Sequence, residues 1–214
     1  MYRIRPLAFC IGKKCLAAFA MLLFSATASG QSARDAWLHM PDSLSSFLDT
    51  AKRAEMLSSY EMQSEENVAN PLHGTSRLDT LTRSYLKATL SGSSHIELKL
   101  LPTNGEDSLI CMVHTFDGPL AESRVRLFTA DWQALSDTCY TSKTLLQKPD
   151  TMTAEVFAGM LESLSLVLWR AALAADSDTL QLTPSFPLQF VEDKERFKAL
   201  VVQRNLNWDG SCFK

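Results

Sequence analysis

Between residues 78 and 132 short apolar–polar alternations are interrupted by turn dipeptides, and this period of two predicts an antiparallel β-meander. Strands are expected over 78–82, 85–91, 95–101, 108–116 and 122–132, with turns at Arg83-Ser84, Ser91-Gly92-Ser93-Ser94, Asn104-Gly105 and Asp117-Gly118-Pro119. If Asn104 and Gly105 alone form a type I′ hairpin turn, Leu98 faces Cys111, Ile96 faces Val113 and His95 faces His114. Pro102 cannot donate to a ladder, and a longer loop around it would give a different register. Strand 108–116 is apolar on both sides and so belongs in the middle of a sheet covered on both faces, whereas Glu97 and Lys99 lie on the opposite face of their strand from Ile96 and Leu98.

The meander needs a cover. Residues 42–62 supply one, with Asp42 or Ser43 as N-cap and Leu44, Phe47, Leu48 and Ala51 at amphipathic spacing; Asp49-Thr50 is a point where this stretch can break into two helices. Residues 63–77, with Asn70-Pro71 and Gly74, read as a polar connection. After the meander, 133–152 reads as a linker, a helix capped by Thr151 or Thr153 runs to about 164, and strands follow at 165–174, 179–184 and 201–208 with a charged helix at 192–200. Asp209-Gly210 then turns the chain into a return at Cys212-Phe213. The fold class is α+β, helices packed on an antiparallel meander, with 31–132 and 153–214 as its two parts. Both parts run helix, then a strand ending in small apolar residues, then a closing strand ending in Trp132 or Trp208, so two degenerate helix-plus-sheet repeats are one reading and chance similarity the other.

Residues 1–30 have the layout of a signal peptide: Arg3, Arg5, Lys13 and Lys14 precede an apolar run at 15–24, followed by Ser25-Ala26-Thr27-Ala28-Ser29-Gly30. The run is too short for a stable membrane span, and Cys10 precedes it, the wrong order for a lipid anchor. Without residues 1–30 the chain keeps 17 basic against 24 acidic residues, a balance that disfavours nucleic acid or an anionic membrane as partner. Cys111, Cys139 and Cys212 remain; export permits a disulfide, Cys111 reads as a small core residue, and a Cys139–Cys212 bridge is a geometric possibility.

Ordered motifs run through the remainder: Met40-Pro41-Asp42-Ser43-Leu44; Val68, Asn70, Leu72, Gly74 and Ser76; Asp107-Ser108-Leu109-Ile110-Cys111 with Thr115, Pro119, Ala121-Glu122-Ser123 and Asp131-Trp132; and Asn207-Trp208-Asp209-Gly210. Together they resemble the family called domain of unknown function 3256, secreted proteins of gut-type Gram-negative bacteria. The resemblance implies export and an α+β architecture, and no activity, substrate or catalytic residue.

The chemistry-bearing residues are few. The chain lacks Gly-x-Ser-x-Gly, His-Glu-x-x-His, Cys-x-x-Cys, Gly-x-Gly-x-x-Gly and a Walker loop. Ser84 and Lys87 match Ser-x-x-Lys, but at the start of a strand a spacing of three sends them to opposite faces. His39 and His73 read as solvated loop residues, whereas His95 and His114, if paired across strands with Glu97 near, would be two ligands of a metal site. Arg124 and Arg126, two apart on one strand, share a face and could hold an anionic partner together with Arg83 or Lys87. Trp132, Trp169 and Trp208 are expected in the core. The leading expectation is therefore an exported, non-catalytic module, periplasmic or secreted, that needs no cofactor, has no membrane span, and binds an envelope protein or an extracellular ligand through a sheet face or loops. The other two readings are a hydrolase with a scattered active site between the halves and a metal-binding module using His95 and His114.

Overall fold

A computed structural model describes residues 31–45, 48–64, 67–105, 107–135, 145–187 and 197–214. Among the described residues, three α-helices and nine antiparallel strands make the fold mixed α+β and mostly β. Six strands form a meander in sequence order, β1 (Val68–Ala69), β2 (Thr75–Leu81), β3 (Tyr85–Ser91), β4 (Ser94–Pro102), β5 (Ser108–Phe116) and β6 (Glu122–Phe128). A second sheet has the order β7 (Leu168–Leu173), β8 (Thr179–Ser185), β9 (Arg204–Asn207). Residues Gln31–Lys214 form one compact unit.

The helical cover begins earlier than the sequence reading placed it. Helix α1 (Ala33–His39) opens with a capping box in which the Ser32 hydroxyl accepts from Asp35 N at 3.1 Å and Asp35 Oδ2 accepts from Ser32 N at 3.3 Å. This short helix buries Trp37, whose indole N–H donates to the Arg53 carbonyl at 3.2 Å. Asp42–Leu44 is a single 3₁₀ turn, and α2 (Thr50–Glu61) starts with Asp49 as N-cap, so the chain breaks at the Asp49-Thr50 point. Phe47 lies outside the described residues. Arg53, fully buried in α2, ties these pieces together: its guanidinium donates to the Met40 and Leu48 carbonyls and pairs with Asp42 at 2.9 Å.

Residues 63–77 are more than a connection, because β1 and the start of β2 lie there. Buried Asn70 makes the turn: its Oδ1 accepts from Leu72 N and Gly74 N, and its Nδ2 donates to Ser76 Oγ and the Leu90 carbonyl. These side-chain contacts account for the motif residues Asn70 and Ser76.

The β4–β5 hairpin corrects the predicted register by one residue. Leu98 pairs with Met112, Ile96 with His114 and His95 with Thr115, so His95 and His114 are not opposite one another. Neither Asn104 nor Gly105 has positive φ, which excludes the type I′ turn. Instead Pro102 pairs with Ser108, and Thr103 closes a wider loop by donating its N–H and hydroxyl to the Asp107 carbonyl at 3.3 and 2.7 Å. A slip of one residue exchanges the side-chain faces that meet, and this alone dissolves the histidine pair.

Each face of the meander has its own core. Ile96, Leu98 and Leu100 of β4 join Leu86, Ala88, Ile110 and Met112 under Trp37, Met56 and Leu57 of the helices. On the other face Tyr85, Leu101, Cys111, Val113 and Leu127 pack against Trp169, Ala171, Leu173, Leu180 and Leu182 of the second sheet. Cys111 is buried as expected, and burial pushes its thiol well above the ordinary range. Of the tryptophans assigned to the core, Trp132 and Trp169 are buried and Trp208 is half-buried. Helix α3 (Ala154–Ser163), capped by Thr153, sits over a smaller cluster of Met160, Phe186, Phe197 and Leu200. Of the helix expected at 192–200 only a 3₁₀ turn, Lys198–Leu200, falls in the described residues. Cys139 lies outside them, and Cys212 carries a free thiol.

The chain end locks the two sheets at their rims. Trp208 donates its indole N–H to the Pro102 carbonyl at 2.6 Å, and Trp208 bridges back to Phe213. Gly210 has φ +98°, and a Cβ there would stand 2.4 Å from Asn104 Oδ1. Gly210→Ala should therefore cost at least about 1–2 kcal/mol from the left-handed backbone alone. Gly159→Ala, in helix α3 with nothing within 4 Å, should raise stability by up to about 1 kcal/mol. Urea unfolding of both variants checks the pair; equal effects of the two would contradict the packing of Gly210 on Asn104.

Candidate functional site

Helices α1 and α2 pack over β2, β3 and β4, and the same face of the meander continues past them onto β5 and the outermost strand, β6. On this flank the cross-strand pairs are Met112 with Arg126, His114 with Arg124 and Phe116 with Glu122. The period of two puts all six side chains on one face, so the shared face expected for Arg124 and Arg126 holds and His114 joins them. Arg83 and Lys87 do not join. Arg83 lies at the β2–β3 turn, and Lys87 is on the opposite face, where it pairs with Glu97 at 3.4 Å.

Arg126 lies 5.4 Å above the Phe128 ring and donates through Nη2 to the Met112 sulfur at 3.7 Å. Its Nε is buried without a partner. Burial, and then the charge of Arg124, lower its affinity for its proton. Among the described residues no carboxylate forms an ion pair with either arginine. His114 stacks on Phe116 with ring centroids 4.3 Å apart, and its Nε2 is buried without a partner. Burial is the main cause that lowers the His114 pKa to about 4, with Arg126 and His95 adding positive charge nearby. Phe116, 51% exposed, forms the outer edge of the patch.

His95 projects from the other face, toward the second sheet, where its Nδ1 donates to Asp117 Oδ2 at 2.8 Å and Asp117 Oδ1 stands 3.7 Å from Arg170. The two histidines are thus divided by the sheet, and Glu97, the carboxylate considered with them, is committed elsewhere: its Oε2 accepts from Leu173 N at 2.6 Å. Among the described residues no group of three or more His, Cys, Asp and Glu side chains is placed to hold a metal ion. Ser84 precedes β3 and gives its carbonyl to Leu100 N, with Lys87 directed to Glu97.

Two open cavities flank the helices. One of about 530 Å³ lies between α2 and β2, with Met56, Tyr60, Val68, Ser76 and Leu78 in its walls. The other, about 520 Å³, is bounded by Gln31, Asp35, His39, Asp131 and Trp132. Trp132 there takes φ +60°, an uncommon conformation for a bulky residue, and its ring packs on Phe128 at 5.1 Å. The sequence reading missed this element because it continued β6 straight through to residue 132.

A family model described as "Protein of unknown function (DUF3256)" matches residues 25–213. A domain of an uncharacterized protein from Porphyromonas gingivalis W83 has a similar structure, with a TM-score of 0.64 and 19% identity over 87% of this chain and 99% of that one. At that identity the likeness is one of fold. No curated protein matches the chain.

The depressed His114 pKa makes a folding prediction. Between pH 6.5 and about 4 the unfolded chain takes up a proton at this residue that the folded chain refuses. The associated stability is complete above pH 6.5 and is lost as pH falls toward 4. His114→Phe removes this contribution, so its urea midpoint should fall less between pH 7 and pH 4 than that of the natural chain. Parallel curves would contradict the burial of a neutral imidazole.

Proposed function

The chain belongs to the DUF3256 family of proteins of unknown function, its family model covering residues 25–213, and from that premise we propose that it is an exported, non-catalytic binding module of the cell envelope. The arrangement of residues 1–30 supports export, to the periplasm or beyond the cell. No helix of the described residues is long and apolar enough to cross a membrane. The observation that carries the binding reading is the flank of β5 and β6: two arginines with no carboxylate partner among the described residues, beside an exposed phenylalanine, in a chain whose overall charge is negative. Protein interfaces are enriched in arginine and aromatic residues, and such residues carry much of the energy of binding. The partner is an envelope protein or another extracellular ligand.

A second reading, hydrolysis, draws on the His95–Asp117 pair, since a carboxylate that accepts from Nδ1 orients an imidazole as a general base. Among the described residues no hydroxyl or thiol donates to that imidazole, and the binding reading is preferred.

The test is capture from envelope and culture-fluid extracts of the source cells, with the full chain carrying an affinity tag and the bound proteins identified by mass spectrometry. One stoichiometric partner should be recovered, and it should be lost with Arg124→Ala/Arg126→Ala but retained with His95→Ala. A partner retained by the double arginine variant would move the surface elsewhere, and no enriched partner would contradict the protein-binding form of the reading.

A further inference from the structure

We propose that the β5–β6 flank is a carboxylate site whose occupant is an extended acidic segment of a partner protein, with side chains of alternate residues on Arg124 and Arg126. The proposal deepens the binding reading and rests on it. The geometry of the two arginines is its first support. They are two residues apart on one strand, and therefore about 6.8 Å apart along it. An extended peptide presents every second side chain at the same repeat, so two carboxylates at positions n and n+2 match the two guanidinium groups. A free phosphate, or a lipid headgroup, has no such repeat to match.

The state of Arg126 is the second support. Its guanidinium is held between the Phe128 ring and the Met112 sulfur, partners that orient it without neutralising it. A carboxylate reaching its outer N–H groups would form charge-assisted hydrogen bonds, the stronger kind, and the planar fork donates to both oxygens at once. Arg124 projects beside it from the same face and is exposed. Position by position the flank runs Glu122, Arg124, Arg126, with Phe116 and His114 opposite the first two. The peptide side chain that follows the arginines therefore meets Phe116 and Glu122, where an apolar residue fits and a carboxylate is repelled.

The composition of the patch is the third. A surface built for polyphosphate or nucleic acid carries many cations and binds by releasing counterions. This flank has two arginines and an exposed aromatic ring and no lysine, which is the make-up of a protein contact.

The test titrates the full chain into a fluorescein-labelled dodecapeptide of serines that carries one alternating Glu-Ser-Glu segment followed by Ser-Leu, and follows anisotropy. Binding should weaken at least tenfold with Arg124→Gln and with Arg126→Gln, and it should be unaffected by Arg170→Gln, a cation on the other side of the sheet. A peptide of identical composition with its two glutamates adjacent should bind several-fold more weakly, and one with both glutamates replaced by glutamine should not bind. Inorganic phosphate should compete only at concentrations where sodium chloride competes equally. Equal thermal midpoints of the variants exclude unfolding as the cause. Three results would overturn the proposal: equal affinity for the alternating and paired peptides, equal losses with Arg170→Gln, or saturable phosphate binding without peptide binding. An arginine-dependent partner that the acidic peptide fails to displace would end this inference and leave the binding reading standing; peptide binding with no partner recovered from the cells would overturn the binding reading and the partner segment with it, leaving the two arginines a carboxylate site only.

Discussion

Two charged side chains buried between the sheets, Glu97 and Lys99 of β4, hold the second sheet in place. They are 2% and 3% exposed, and charges so placed are tolerated only when paired and hydrogen-bonded. Besides the ion pairs of Glu97 with Lys87 at 3.4 Å and of Lys99 with Asp178 at 3.8 Å, their partners are backbone groups of β7 and of the turn that follows it. Glu97 Oε2 accepts from Leu173 N at 2.6 Å, and Lys99 Nζ donates to the carbonyls of Ala174 at 3.2 Å and Ala175 at 2.9 Å. Strand β7 is an edge strand, hydrogen-bonded to β8 alone, and its outward N–H groups would otherwise be buried without acceptors. Ser123 of β6 performs the same service two residues earlier, accepting from Ala171 N at 2.8 Å while lying 2.8 Å from Thr115 Oγ1. Side chains of one sheet thus complete the ladder of another, and the apolar contacts of Trp169, Ala171 and Leu173 follow from that placement.

Several of the motif residues shared with the family serve this architecture. Ser123, hydrogen-bonded to Thr115, binds β7, Asn70 and Ser76 shape the first hairpin, and Met40 and Asp42 receive Arg53. Trp208 and Gly210 seat the chain end on the Pro102–Asn104 loop. These motif residues are joints of the fold. The β5–β6 flank lies apart from these joints, on the part of the helix-bearing face that α1 and α2 do not cover.

The alternation of apolar and polar residues made the meander legible, because a half-buried strand imposes it directly. Three features escaped for physical reasons. The hairpin register depended on loop geometry, which Thr103 and Pro102 determined over the Asn-Gly dipeptide. Helix α1 is too short for a periodic signal, although the Ser32 to Asp35 spacing of its capping box was readable. Glu97 and Lys99 were recognisable as polar residues facing away from Ile96 and Leu98, but their burial depends on chain about 75 residues away, which no local pattern contains. The candidate site divided in the same manner: the common face of Arg124 and Arg126 follows from strand period alone, whereas His114 could be placed only once the register was known.

Amide hydrogen exchange, residue by residue, tests the central claim that Glu97 docks the second sheet. In Glu97→Met the Leu173 amide loses its acceptor, and its protection should fall at least tenfold together with that of its β7 neighbours, while amides of β3, β4 and β5 keep theirs. Unchanged protection at Leu173, or a uniform loss throughout both sheets, would contradict the account.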